Sequence, residues 1–468
     1  MKYRAGSITR KLASLFLLLS ALGLNNACAT LPDVSEMIEE TPVARNPQPV
    51  VSSRGEISPE KTKAIMDQLK HSVEPTEMLA RHIAVVESIT DSPLTKGNRV
   101  TLLADNQATY AAMFKAIDQA KNHINLESYI IEDDETGRKF ADRLLLKQAA
   151  GVQVHLIYDS MGSINTPDAF FQRLRDGGIE VVGFNPVNPL KFRDKMNFTH
   201  RDHRKILIAD GKIAIIGGVN ISKVYSSRPG KRYKGGKTPI HWRDTDIRIE
   251  GPAVAELQKL FLDTWFKQKG SRLSGPKFFP QQKEKGNALV RVVGSTPGES
   301  NRIPFVVYVS AIALAENSVY LTNSYFIPDD QIVKALTGAA RRGVDVKIIL
   351  PGATDSKLAY YAQRYHYSHL LEAGVKVYEH KTSMLHAKTA VIDSVWSTVG
   401  STNMDYLSLL NNDEVNAVIL NKEFALEMEQ MFASDLADSR AIELKEWQKR
   451  PAALKVREWV VNLFARWL

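Results

Sequence analysis

Two short patterns in this sequence join a histidine to a lysine two residues on and to an aspartate five residues beyond that. The first is His203-x-Lys205-x4-Asp210, followed by Gly217-Gly218-x-Asn220. The second is His386-x-Lys388-x4-Asp393, followed by Gly400-Ser401-x-Asn403. On a strand, residues two apart face the same side, so each histidine shares a face with its lysine. A neutral imidazole is a good nucleophile or base near neutral pH. The lysine beside it supplies a fixed positive charge for phosphate oxygens. Asn220 and Asn403 can donate their amide NH2 groups to the same oxygens. The small residues next to them let backbone approach a ligand closely. Each pattern therefore offers one reactive group and two donors for phosphate oxygens. A lone His-x-Lys is usually an exposed pair on a surface strand. Two complete copies, each with the same downstream turn, call for another explanation.

The elements that must position these residues are repeated as well. Ala116-Ile117-x-x-Ala120 leads into a predicted strand over 124–131 that contains Ser128-Tyr129. Ala311-Ile312-x-x-Ala315 leads into one over 319–327 that contains Ser324-Tyr325. Helical segments over 140–150 and 332–342 end at Gly151 and Gly343, before Val- and Ile-bearing strands over 152–158 and 344–350. Glycine at a helix end and β-branched residues in the next strand are the punctuation of a βαβ unit. His203, Lys205, Asp210, Gly217 and Asn220 recur as His386, Lys388, Asp393, Gly400 and Asn403, all displaced by one constant offset. That is the mark of duplication. Each half reads β-α-β-α-β-β, which predicts an α/β fold of two similar halves, over 97–275 and 290–440. The stretch 269–298 reads as their connector, and 226–237 as an exposed Gly/Lys-rich loop. Residues 30–96 read as a Pro-rich polar linker to about 58, then two short helical patterns near 59–72 and 76–89.

With 468 residues, 44% of them hydrophobic, the chain can fill two domain-sized cores or one large bilobal one. The net charge of +9 points to an anionic partner: nucleic acid, an anionic membrane surface or a phosphorylated substrate. The single cysteine, Cys28, excludes a disulfide within the monomer and a cysteine-ligated zinc site. Lys2, Arg4, Arg10 and Lys11 precede an apolar or small-residue run over 12–24, short for a membrane span and typical of an export signal. Two processing readings of residues 1–29 stand open. Ala27-Cys28-Ala29 fits small-x-small cleavage, while a lone cysteine just after the run fits the lipidated first residue of a bacterial lipoprotein. The lipoprotein pattern takes an aliphatic residue where Asn25 stands. Either reading predicts an exported, membrane-associated protein of the bacterial cell envelope. At the other end, 441–468 reads as an amphipathic tail. Val456, Trp459, Val460, Leu463, Phe464 and Trp467 share one helical face, with Lys455, Arg457 and Arg466 elsewhere. Such a tail suits an anionic lipid interface, or packing on the protein's own core.

The paired segments resemble the two HKD motifs of the phospholipase D superfamily, and the similarity covers about residues 97–445. The resemblance implies two halves related by a pseudo-twofold, with one active site at their interface. It implies that one histidine attacks phosphorus and forms a phosphohistidine. The other protonates the leaving alcohol, then deprotonates the incoming water or alcohol, with no metal or cofactor. The first motif often supplies the nucleophile in relatives, which favours His203; the residues themselves do not distinguish the two. By resemblance Asp210 and Asp393 complete the motifs, as orienting or strand-anchoring groups rather than proton carriers. The lysines and asparagines become donors to the phosphorane. A carboxylate is also implied for each histidine, to hold its tautomer: Glu414, in Asn412-Asp413-Glu414-Val415-Asn416, and its first-half mirror Asp244, in Trp242-Arg243-Asp244.

Finer matches resemble bacterial cardiolipin synthases: Ser324-Tyr325-Phe326-Ile327-Pro328-Asp329-Asp330, Gly400-Ser401-Thr402-Asn403-Met404-Asp405 and Glu250-Gly251-Pro252. The chain differs from the longest-studied kind in having one export-type segment in place of two membrane-spanning helices. The implied reaction moves a phosphatidyl group between two phosphatidylglycerol molecules and releases glycerol. The nearest rival is phospholipase D hydrolysis with water as acceptor. A nucleic-acid phosphodiesterase is more distant, because the export segment, the C-terminal helix and the finer matches argue against a nucleic-acid partner. A non-catalytic lipid-binding lipoprotein is disfavoured by the intact second motif.

Overall fold

The computed structural model describes residues 31–42, 48–71, 77–186, 199–226, 242–273, 275, 277–298 and 302–468. Residues 1–29, read as an export segment with Cys28, and residues 227–237 of the loop read in the first half lie outside the described residues.

A small hairpin, β1 Val51–Ser52 and β2 Gly55–Glu56, precedes the body. The first half then builds β3 Thr95–Leu103, β4 His123–Ser128, β5 Gln153–Asp159, β6 Glu180–Phe184, β7 Arg201–Asp202, β8 Lys205–Ala209, β9 Ile213–Gly217, β10 Trp242–Arg243 and β11 Asp246–Glu250. The second half builds β12 Ala288–Ser295, β13 Ser318–Thr322, β14 Asp345–Pro351, β15 Lys376–His380, β16 Met384–Leu385, β17 Thr389–Ile392, β18 Trp396–Gly400 and β19 Asn412–Leu420. From their junction outward the halves run β3-β11-β9-β8-β4-β5-β6 and β12-β19-β18-β17-β13-β14-β15. The two orders are the same, and β3 meets β12 antiparallel, as a twofold between the halves requires.

Both faces of this sheet are covered, so its central strands read as apolar runs rather than alternations. In β8, Ile206 and Ile208 face a core that also takes helix Ala253–Lys267 and helix Lys422–Ala437. Leu207 and Ala209 face the opposite core, under helices Asn106–Gln119 and Glu135–Ala149. The first core holds residues of both halves, among them Phe261 and Trp265 with Ala417 and Met428. The halves thus share a core and do not fold as beads on a string.

The α/β reading with two similar halves holds, but each repeat is longer than β-α-β-α-β-β. It opens with an extra strand and helix, the strand being β3 or β12, has three main strands rather than two after its inner helices, and closes with β11 or β19 and a helix. The stretch 269–298 is therefore not simply a connector. Its β12 is buried from Ala288 to Val293 and pairs with both β19 and β3. A short apolar run buried on both faces carries no period to betray it. The described part of the polar linker is also structured. Asp33 caps helix Val34–Glu40, Val34 is buried, and its N–H donates to Gln331 Oε1 at 2.9 Å. Single apolar anchors such as Val34 and Val50 are too sparse to register as a pattern. Helices occupy Pro59–His71 and Glu77–Glu87. No helix among the described residues is long and apolar enough to cross a membrane.

Asp210 and Asp393 lie at the far ends of the histidine-bearing strands, about 20 Å along the chain direction from the rings. They are not part of the chemistry at the imidazoles. Asp210 accepts the backbone N–H groups of Lys121 (3.0 and 2.9 Å), Asn122 (2.6 Å) and His123 (3.1 Å) at the entry to β4. Asp393 accepts those of Glu316 (3.0 Å), Asn317 (2.7 Å) and Ser318 (2.8 Å) at the entry to β13. Both sit at positive φ, 55° and 50°, which aspartate tolerates better than most residues. Replacing Asp210 with alanine strands three N–H donors, and the expected loss is about 2–3 kcal/mol of unfolding free energy. Urea denaturation measures it. A change under about 0.5 kcal/mol would show that water satisfies those donors.

Candidate active site

Each histidine is positioned by the other half. β7, just before His203, pairs in parallel with the start of β19, Arg201 against Asn412 and Asp202 against Asp413. The His203 N–H then donates to Asp413 O at 2.9 Å. β16, just before His386, pairs in parallel with β10, Trp242 against Met384 and Arg243 against Leu385. The His386 N–H donates to Arg243 O at 2.8 Å. The next residues along β19 and after β10 are the acids. His203 Nδ1 lies 3.0 and 3.1 Å from the two oxygens of Glu414. His386 Nδ1 lies 2.6 Å from Asp244 Oδ2. With Nδ1–H given to a carboxylate, Nε2 carries the lone pair. Neither Nε2 has a hydrogen-bond partner among the described residues, so both are free for a ligand.

The acids are themselves held. Glu414 is fully buried and accepts from Ser401 Oγ, while Ser401 N donates to Val415 O at 2.9 Å. Arg204 donates from Nε to Glu414 O (3.1 Å), from Nη1 to Thr264 Oγ1 (2.8 Å) and from Nη2 to Ser295 O (2.7 Å). Arg243 does the same for the other acid, bridging Asp435 (3.0 and 2.6 Å) and Asp244 O (2.8 Å). The glycines of the motifs make room for neighbouring protein atoms, one of the acids among them. A Cβ on Gly218 would fall 2.2 Å from Asp244 Oδ1, one on Gly217 2.5 Å from Asp246 Cα, and one on Gly400 2.3 Å from Val415 O.

The lysines are as buried as the rings. Lys205 Nζ donates to His203 O at 2.5 Å and stands 5.2 Å from the centre of the Tyr129 ring. Lys388 Nζ donates to His386 O and lies 3.0 Å from His386 Nδ1. An ammonium has three donors, so each lysine keeps capacity for a phosphate oxygen. Burial pulls Lys205 down to about 7 and Lys388 down to about 8, and repulsion between cations adds to the shift of Lys205. Burial, followed by Lys388, takes His386 down to about 4, against the pull of Asp244. Burial also lowers His203, against Glu414. Lys388 acts on His203, and Lys205 on His386, so the two motifs make one electrostatic site. Burial of these cations favours loss of their protons, and an entering phosphodiester anion favours their return.

The two asparagines are not equivalent. Asn403 accepts from Ser324 Oγ at 2.7 Å, and its NH2 has no partner among the described residues. Asn220 donates its NH2 to Tyr225 OH at 3.0 Å and accepts from the Ile130 N–H at 3.0 Å. One of its two N–H donors is thereby engaged, and the other keeps capacity for a phosphate oxygen. Tyr225 OH lies 3.4 Å from His386 Nδ1, which makes Tyr225 a supporting residue absent from the sequence reading. Two further aromatics flank the rings: Tyr129, edge-on to His203 at 5.0 Å, and Tyr325, edge-on to His386 at 6.3 Å. The repeated Ser-Tyr pairs were the available signal for them. Trp242 lies 4.8 Å from His386 and had only its place beside Arg243-Asp244 to mark it.

The family model described as "Cardiolipin synthase, PLD-like domain" matches residues 113–228 and 308–436. A cardiolipin synthase of Geobacillus thermodenitrificans is 34% identical over 379 residues, 81% of this chain and 74% of that protein. Cardiolipin synthase A of Pseudomonas aeruginosa is 36% identical over 352 residues, 75% of this chain and 69% of that protein. Among solved structures, phosphatidylserine synthase of Haemophilus influenzae superposes with a TM-score of 0.60 over 79% of this chain and 95% of its own, at 14% identity. That likeness speaks to the fold.

Proposed function

The chain belongs to the phospholipase-D-like cardiolipin synthase family, and from that premise we propose that it joins two phosphatidylglycerol molecules into cardiolipin through a phosphohistidine. It is a phosphatidyltransferase of the phospholipase D superfamily. The observation that carries the finer reading is the exchange of carboxylates between halves, which leaves two oriented imidazoles in one site. Neutral His203 attacks phosphorus through Nε2, as the first motif often does in relatives. The bond from phosphorus to the glycerol oxygen breaks, and that oxygen takes a proton from His386. The free hydroxyl of a second phosphatidylglycerol then gives its proton to His386 and attacks phosphorus. The phosphorus–nitrogen bond breaks, and cardiolipin leaves. Covalent catalysis splits one hard displacement into two easier ones. Lys205, Lys388 and the free NH2 of Asn403 stabilise charge on the phosphorane.

Purified protein with phosphatidylglycerol vesicles should release one glycerol per cardiolipin formed, in excess EDTA, since the lysines supply the positive charge. Formation of phosphatidate in place of cardiolipin would assign the acceptor to water. Loss of activity on chelation, restored by a divalent cation, would sink the metal-free scheme.

We place the protein in the bacterial cell envelope, exported and anchored by a lipid on Cys28. Fatty-acid labelling followed by membrane fractionation tests this. Label is expected on the native chain and absent from Cys28→Ser, with turnover kept, because Cys28 is not among the residues assigned to the reaction. An unlabelled native chain cleaved after Ala29 would discard the anchor.

A further inference from the structure

The helix Ala452–Asn462 and the turn Ala465–Trp467 after it have two apolar sides. The inner side is covered. Val461, Ala465 and Leu468 pack on Ile327, Ala359 and Ala362, and Tyr325 packs into the same cluster. The outer side is not. Val456, Trp459, Val460 and Leu463 are exposed at 58, 52, 41 and 57%. These fall on one stripe over two turns, and such a stripe is costly to leave in water.

Charge sorts the same way. The helix's one acid, Glu458, is buried and accepts from Arg450 Nη1 at 2.6 and 2.7 Å, with Arg364 Nε at 3.6 Å. The helix's exposed charges are therefore Lys455, which donates to Gln448 O at 2.9 Å, and Arg457, which donates to Tyr361 OH at 3.0 Å, and exposed Arg466 follows in the turn. An outward surface of tryptophan, aliphatic side chains and cations complements an anionic lipid interface. Eleven residues reach only about 16 Å, too short to cross a bilayer, so the helix would lie in the interface plane.

We propose that this outer face docks on an anionic bilayer and that docking steadies the active site through Tyr325; the proposal rests on the reading of the substrate as a membrane lipid. Tyr325 OH donates to Asp355 Oδ1 at 2.7 Å, and its ring stands edge-on to His386. Its neighbours in the chain are tied to the same site. Ser324 Oγ donates to Asn403 Oδ1, and Ile327 N–H donates to Met404 O at 2.8 Å. Arg466 stands 5.7 Å from the Tyr406 ring, and Tyr406 OH donates to Asp329 Oδ2 at 3.1 Å. The tail thus clamps the segment that carries one wall of His386 and the partner of Asn403. A bilayer seated on the outer face presses on that clamp from the other side.

The test uses the full chain with Cys28→Ser and Trp459→Cys, labelled with an environment-sensitive thiol fluorophore. Vesicles of phosphatidylcholine containing phosphatidylglycerol should shift its emission to the blue, and salt should weaken the shift. Pure phosphatidylcholine vesicles should give little change, and the same probe at Lys139→Cys, on a helix far along the chain, should not respond. A flat response at 459, or an equal one at 139, overturns docking, whatever holds the N-terminus. In the otherwise native chain, Trp459→Ser with Leu463→Ser should raise the lipid concentration for half-maximal vesicle turnover about tenfold. An unchanged value would also overturn the proposal, and would favour a protein partner on this face. If the emission shift appears while the native chain makes no cardiolipin, the reaction assigned above falls and docking stands.

Discussion

His203→Ala and His386→Ala are each expected to lower turnover by on the order of 10^5-fold or more, with the double variant no slower than either single. The two rings belong to one site, in which each lysine acts electrostatically on the other motif's histidine. Losing the nucleophile removes the covalent intermediate. Losing the acid leaves an alkoxide to depart unprotonated and the acceptor hydroxyl without a base. Either loss stops both half-reactions, so the second loss has nothing left to remove. Both rings are buried, and alanine would leave a cavity in each place. His203→Gln and His386→Gln fill that space, and the same loss is expected from them with unfolding midpoints close to native. The measurement is release of labelled glycerol from phosphatidylglycerol vesicles. Retention of more than about one part in a hundred by either single variant would sink the two-histidine scheme.

The motif residues are legible because duplication wrote them twice at one offset, and chance does not keep five identities over so short a window. The strands that carry them are legible because β8 and β17 are buried on both faces and read as apolar runs. How the motifs meet is not legible. His203 and Glu414 are 211 residues apart, and His386 and Asp244 are 142 apart. They meet through two-residue parallel pairings that leave no periodicity in either strand. The resemblance supplies an acid for each histidine but does not say that the acids are exchanged between halves.

Identity at one offset also overstates symmetry. Asn220 and Asn403 match, yet five residues on stands Tyr225 in one half and Ser408 in the other. The phenol takes one N–H of Asn220, while the NH2 of Asn403 has no partner among the described residues. Likewise Gly218 and Ser401 match in place but differ in action: one gives Asp244 room, the other gives Glu414 a hydroxyl donor. The tail shows a different limit. Its sequence suits both lipid and core because the helix has two apolar sides, and periodicity alone does not say which one is covered.

Glu414→Gln and Asp244→Asn are each expected to lower kcat on the order of 10^3–10^4-fold, with the fold intact. Each amide keeps the shape of the acid but can present an NH2 to Nδ1. That favours the tautomer with its hydrogen on Nε2, where the attacking or receiving lone pair is needed. The pH profile separates this from a loss of packing. Burial lowers His203, and Glu414 opposes it; burial and Lys388 lower His386, and Asp244 opposes them. Removing either carboxylate therefore lowers the proton affinity of one imidazole further. One limb of the bell-shaped kcat/KM profile should move to lower pH in each variant, and the two variants should move different limbs. Because the rings are coupled, the limbs belong to the pair, and the comparison of variants is what divides them. The exchange between halves makes the result specific. A change at Glu414, in the second half, must act on His203 in the first. Trapping with labelled substrate under an alkaline detergent quench, which preserves the phosphorus–nitrogen bond, reads this out, with the labelled peptide containing His203 in the native chain and much fainter in Glu414→Gln. A profile whose limbs stay in place in both variants, with only kcat reduced, would reject the carboxylates as partners of the imidazoles.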